Sequence, residues 1–157
     1  MRQDMVYNPG YYQLRADQLD KMRDIIQRGE DAQAGGVVFF GDSLTELYDV
    51  RASYPQLEHV YNCGIGGANS EMLIWMVDEA VVKYQPRLVV LMVGTNDLGR
   101  TSGSSPKRIA QNIKVLVDLI CGNLSECRVL LWSPLPCVEA KCSYRANPAL
   151  PRSNQAL

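Results

Sequence analysis

Four short apolar runs divide this chain, and each stops at glycine, proline or a small polar residue: VVFFGDS from Val37, HVYNCGIGG from His59, LVVLMVGTND from Leu88 and RVLLWSPLP from Arg128. Continuous runs of this length, rich in β-branched residues, suit strands covered on both faces, as inside a parallel sheet. Between them the apolar spacing turns helical. YYQLRADQLDKMRDIIQRG sets Leu14, Leu19, Met22, Ile25 and Ile26 near one face, with Gly29 as a C-terminal stop. SEMLIWMVDEAVVKYQP carries Met72, Leu73, Met76, Val77 and Ala80 on a stripe and ends before Pro86. SPKRIAQNIKVLVDLICGN offers Ser105 as N-cap and Pro106 at the first helical position, then Ile109, Ile113, Leu116, Val117 and Ile120. Trp75 and Trp132 fall at spacings that predict packing in the core. Strands alternating with helices predict right-handed βαβ crossovers and an α/β fold, a three-layer αβα sandwich.

A chain of 157 residues fits one domain, residues 1–157, and buries roughly 70% of its unfolded surface. With 46% hydrophobic and 21% charged residues, disorder and fibrous repeats are excluded. The net charge of −1, with no basic stripe, argues against a nucleic-acid partner. The start, MRQDMVYNPGYY, lacks the apolar centre of a signal peptide, and no run reaches the ~20 apolar residues of a membrane span, so a cytoplasmic location is expected. Tyr7, Tyr11 and Tyr12 are expected to cover the sheet. Cys63, Cys121, Cys127, Cys137 and Cys142 are odd in number and lack CxxC spacing, which predicts free thiols; Cys121 with Cys127, or Cys137 with Cys142, are the pairs an oxidising compartment would allow.

In a doubly wound parallel sheet, the loops at the carboxyl ends of the strands converge on one crevice. The first three here read Gly41-Asp42-Ser43, Gly64-Ile65-Gly66-Gly67 and Gly94-Thr95-Asn96-Asp97. A serine where a strand passes into a helix has its own N–H among the unsatisfied donors of the helix start, so it can attack a carbonyl while that N–H holds the developing oxyanion. The plainer role for Ser43 is to cap the helix LTELYDV. Gly66 and Gly67 permit close backbone approach, or simply make a tight turn. Asn96 can donate its amide into the same crevice, or shape the turn before Leu98. Donors from Ser43, Gly67 and Asn96 together would form an oxyanion hole, in which losing one donor costs ~3 to 4 kcal/mol of transition-state stabilisation.

GDSL at Gly41 to Leu44, NCGIGG at Asn62 to Gly67 and GTND at Gly94 to Asp97 resemble, in order, spacing and strand context, the first three sequence blocks of the GDSL family of SGNH hydrolases. The resemblance covers roughly Val37 to Pro136. It implies a flavodoxin-like sandwich with strand order 2-1-3-4-5 and esterase, lipase or acylhydrolase activity without metal or organic cofactor. Ser43 then matches the nucleophile, Gly67 the oxyanion glycine and Asn96 the oxyanion asparagine. The short loops lead to the expectation of a small acyl ester as substrate.

The family's last block, an Asp-x-x-His that supplies the base and its orienting carboxylate, has no counterpart here. His59, the chain's one histidine, stands at the start of the second strand, about 16 Å below Gly64 at ~3.3 Å per residue, and is expected at the surface. Asp42, Glu46 and Asp97 lie close to the motifs, but a carboxylate of ordinary pKa is a poor base for a serine hydroxyl. Asp42 and Asp97 are expected instead to accept backbone N–H bonds. The segment after Pro136 lacks the closing strand and helix of such a fold, so the chain reads as C-terminally incomplete, with an uncovered fourth strand suited to self-association. A binding module without turnover is the first rival reading. A nucleotide binder using the GIGG loop is the second, although that loop lacks both GxGxxG and the P-loop lysine.

Overall fold

The first apolar run is buried along its whole length because it lies inside the sheet rather than at an edge. In the computed structural model, which describes residues 14–98 and 104–138, strands β1 (Val37–Gly41), β2 (Val60–Gly64), β3 (Leu88–Met92) and β4 (Arg128–Leu131) form one parallel sheet in the order β2-β1-β3-β4. This matches the first four positions of the order 2-1-3-4-5 that the resemblance implies, and no fifth strand lies among the described residues. The pairing is level: Gly41 stands opposite Gly64 on one side and Met92 on the other. The loops that leave these three residues therefore start from one row.

The helices are α1 (Ala16–Glu30), the single-turn α2 (Ser43–Glu46) and α3 (Val50–Ser53), α4 (Ser70–Ala80), the single-turn α5 (Thr95–Leu98) and α6 (Pro106–Asn123). Side chains alternate across a strand, so Val38 and Phe40 face one way and Val37 and Phe39 the other. The first face packs against Ile25 of α1, Leu73 and Val77 of α4, and Leu116 and Ile120 of α6. On the opposite face, Val37, Phe39, Val60 and Val90 meet Val50 of α3 with Tyr48, Tyr54 and Trp132. An αβα sandwich results, with one thick helical layer and one thin one.

Most of the predicted stripes are buried, but Trp75 is not: it is 82% exposed. Leu73, Met76, Val77 and Ala80 are three, four and seven residues apart and share the buried face, whereas Trp75, two residues from Leu73, projects about 200° around the helix. Trp132 does pack, edge-on to Phe39 at a ring separation of 6.2 Å. In α1 the buried line is Gln18, Met22 and Ile25, continued by Gly29, and Leu14, Leu19 and Ile26 are largely exposed. Nor does Gly29 end the helix, which runs to Glu30. Its missing side chain admits the Tyr84 ring, which a Cβ would approach to 3.1 Å, and the Tyr84 hydroxyl donates to Ile25 O.

Ser105 caps α6 as expected, accepting from Arg108 N–H at 3.2 Å with Pro106 in the first turn. Cys63, Cys121, Cys127 and Cys137 are unbridged. Burial pushes the Cys63 thiol up to about 12. Cys142 and Tyr7, Tyr11 and Tyr12 lie outside the described residues. Among the described residues no helix is long and apolar enough to cross a membrane.

Candidate active site

Two glycines let α2 fold down onto the strand ends. A Cβ on Gly41 would lie 2.3 Å from Met92 O and from Thr45 Oγ1, and one on Gly64 would lie 2.2 Å from Glu46 N. Asn62 then fastens the turn: its amide nitrogen faces Thr45 O at 2.7 Å and Tyr48 O at 3.0 Å, and its oxygen accepts from Gly64 N–H at 2.9 Å. The cap of α2 is Asp42, whose carboxylate accepts from Leu44 N–H at 2.9 Å. Ser43 is therefore the first residue within the helix and not its cap, so capping does not occupy its hydroxyl. Its side chain is half-buried, and among the described residues neither its N–H nor its Oγ has an intramolecular partner. Since α2 is a single turn, its macrodipole is small, and what it offers an anion is its unpaired N–H groups.

The second loop turns at Gly67, whose φ of +75° favours glycine. Asn96 in α5 donates its amide to Ala68 O at 2.8 Å, which brings it beside the residue after Gly67. One of its two N–H groups is thus committed to the loop and the other is available to a ligand. Behind them lies a buried polar cluster. Asp97 accepts from Ser70 N–H at 2.9 Å and from Ser70 Oγ at 2.5 Å, and Asn112 of α6 donates to Ser70 Oγ at 2.8 Å. Burial raises the Asp97 pKa, and the bonds from Ser70 oppose that rise. The cluster ties the start of α4, and so the Gly66-Gly67 turn, to the loop carrying Asn96.

The histidine does not stand beside Ser43. His59 is exposed at the foot of β2, next to Val60, which pairs with Val37 at the far end of the sheet. Asp42 and Asp97 are held by their N–H donors, and Glu46 lies 3.8 Å from Lys21 Nζ. No group of metal-binding side chains occurs among the described residues. Against the strand face bearing Phe39 and Val90, an apolar cavity of about 270 Å³ is walled by Leu44, Thr45, Tyr48, Met92, Trp132 and Leu135.

Sequence reasoning missed the clamp made by Asn62, the buried set of Ser70, Asp97 and Asn112, and the contact of Arg15 and Gln18 with Gly66 O, at 3.0 and 2.8 Å. Only Asn62 carried a signal, as the first letter of NCGIGG. The others join residues 27 to 51 positions apart.

The sequence pattern of the GDSL-like Lipase/Acylhydrolase family matches residues 39–157, more than half of the chain. The chain belongs to that family. Among curated relatives, the platelet-activating factor acetylhydrolase IB subunit alpha1 of Bos taurus is 32% identical over 104 residues, which is 64% of this chain and 43% of the relative. The chain thus matches less than half the length of such relatives. A Bacteroides fragilis protein assigned as an acylhydrolase superposes with a TM-score of 0.72 at 25% identity, over 91% of this chain and 68% of that one. A GDSL-like lipase of Bacteroides thetaiotaomicron gives 0.66 at 23%, over 86% and 65%, a likeness of fold alone.

Proposed function

We propose that this protein is a serine ester hydrolase acting on a small acyl ester. Ser43 Oγ attacks the acyl carbonyl, and Ser43 N–H, Gly67 N–H and the Asn96 amide hold the tetrahedral oxyanion. That intermediate collapses with cleavage of the ester C–O bond, the alcohol leaving with the proton that Ser43 Oγ gives up, and water then hydrolyses the acyl-serine to the free acid and restores the hydroxyl. The single observation that carries the reading is the division of labour at the strand end, where Asp42 takes the cap and leaves the Ser43 hydroxyl half-exposed without an intramolecular partner. Substrate size follows from the neighbouring cavity, whose 270 Å³ is just under the range of about 300 to 1,000 Å³ that accommodates drug-sized ligands. It favours an acetyl or other short acyl group, in keeping with the acetylhydrolase relatives.

Attack needs an acceptor for the hydroxyl proton, and His59 is at the wrong end of the sheet to serve. An oxyanion hole without its base still gives ~10³ to 10⁴ over water in serine hydrolases. The experiment is labelling with a fluorophosphonate together with p-nitrophenyl acetate turnover, with and without added imidazole. Turnover that imidazole raises, and that disappears with the label in Ser43→Ala, is the expected result. A folded protein that neither labels nor turns over, with Ser43→Ala indistinguishable from it, refutes the hydrolase and leaves the binding module, which the remote His59 favours.

A further inference from the structure

We propose that Arg15 and Gln18, at the start of α1, are positioning residues that aim the Gly67 N–H into the oxyanion hole by holding the carbonyl of the same peptide unit. The inference rests on the hydrolase reading above and assigns part of that site's precision to a helix that precedes every motif in it.

Gly66 O accepts two hydrogen bonds from α1, one from Gln18 Nε2 at 2.8 Å and one from Arg15 Nη2 at 3.0 Å. In a trans peptide the C=O of one residue and the N–H of the next point in opposite directions. Fixing Gly66 O toward α1 therefore turns the Gly67 N–H away from it, and among the described residues that N–H meets no acceptor. Reversal of the peptide is opposed because it would set the Gly67 N–H against two donors. A glycine-containing turn needs such a restraint, since glycine gives up more conformational freedom than any other residue when it is ordered.

Gln18 itself has only one workable orientation. It is 1% exposed, a buried polar side chain in the line of α1 that otherwise packs apolar residues. Its Oε1 accepts from Arg15 N–H at 3.0 Å, which leaves Nε2 to face Gly66. The flipped amide would oppose donor to donor at Arg15 and acceptor to acceptor at Gly66. Arg15 is steadied by Asp17, whose carboxylate accepts from Nε at 3.1 Å and Nη2 at 2.9 Å. Both side chains press on the turn, for a Cβ added at Gly67 would lie 3.1 Å from Arg15 Nη2 and 3.3 Å from Gln18 Nε2. Hydrogen bonds received at the carbonyl also polarise the peptide unit and strengthen its N–H as a donor.

The test uses the full chain and two independent readouts: the ¹⁵N order parameter of the Gly67 amide, and p-nitrophenyl acetate kinetics. In Gln18→Met, which keeps the buried volume and removes the donor, the Gly67 order parameter is expected to fall from about 0.85 toward 0.6 while that of Leu91 stays. In the same variant kcat falls roughly 10- to 100-fold with KM within about twofold, part of the 10²- to 10³-fold effect of deleting an oxyanion donor outright. Arg15→Lys, which keeps a donor, stays within about threefold of the wild type, and Arg15→Ala, at an exposed site, falls about three- to tenfold and serves if Gln18→Met does not fold. A Gly67 amide as ordered in the variants as in the wild type overturns the inference, as does unchanged kcat in an enzyme that Ser43→Ala abolishes. Turnover that survives Ser43→Ala refutes the hydrolase reading instead, and the order parameter then decides by itself whether α1 sets this peptide.

Discussion

At residue 43 the site turns on which of two adjacent side chains caps the following turn. Aspartate and serine are about equally good N-caps, so the pair Asp42-Ser43 permits either assignment on composition alone. The structure gives the cap to Asp42, and the Ser43 hydroxyl takes no part in it. A second carboxylate, Asp97, is 1% exposed and its pKa is raised by burial above the ordinary 3.8. The folded state therefore binds this proton more tightly than the unfolded chain. Its contribution to stability is fully present below pH 3.8 and is lost as the pH rises through the folded pKa. Asp97→Asn cannot ionise, and its amide would place a donor against Ser70 N–H, so it should be less stable at every pH by about 1 to 3 kcal/mol. The lead of the wild type over the variant should narrow as the pH is raised. Thermal melts of both proteins across the acid range measure this, and a lead that widens with pH would mean that the hydrogen bonds from Ser70 outweigh burial.

At the scale of elements, α2 is a single turn that could not persist alone, because helix nucleation costs more than one turn returns. It is held from outside by Gly64, on which its backbone lies directly, and by Asn62, which binds the carbonyls at its end. Gly64→Ala would drive a methyl group into backbone that cannot swing aside and should cost about 3 kcal/mol, at the upper end of overpacking penalties. Asn62→Ala removes the Gly64 N–H's acceptor and one of two donors at Thr45 O and Tyr48 O, which keep Tyr48 N–H and Val50 N–H, and should cost about 1 to 3 kcal/mol. Urea denaturation gives both values, and losses under ~0.5 kcal/mol would mean that α2 is held by its apolar contacts alone. The four strands and three long helices were legible in the sequence because their signals are local: β-branched runs, a 3.6-residue stripe, Ser105 with Pro106. Trp75 departs from its expected core position because it stands about 200° around α4 from Leu73, off the stripe that Met76, Val77 and Ala80 share with that residue. The grip of Gln18 on Gly66 O spans 48 residues, and no local pattern reports it.

Over the whole molecule the two faces of the sheet are unequal. Three long helices cover one, whereas the other has α2, α3 and an aromatic set in which Phe39 touches Tyr48, Tyr54 and Trp132. The thin side runs toward β4, which among the described residues pairs only with β3. Leu130 and Leu131 on that strand are 46% and 49% exposed, and Leu135 beyond it is 53% exposed. Arg128 is the one charged residue of β4, which leaves little to repel a second strand. We therefore expect the chain to self-associate through β4. Burying a leucine is worth ~1.5 to 3 kcal/mol, so a pair of such edges gains from exclusion of Leu130 and Leu131 in addition to strand hydrogen bonds. Sedimentation velocity over a roughly twentyfold range of concentration should show a weight-average coefficient that rises, and Leu131→Lys should suppress the rise by setting like charges across the contact. A coefficient independent of concentration in the unsubstituted chain would show instead that this edge does not pair with another copy.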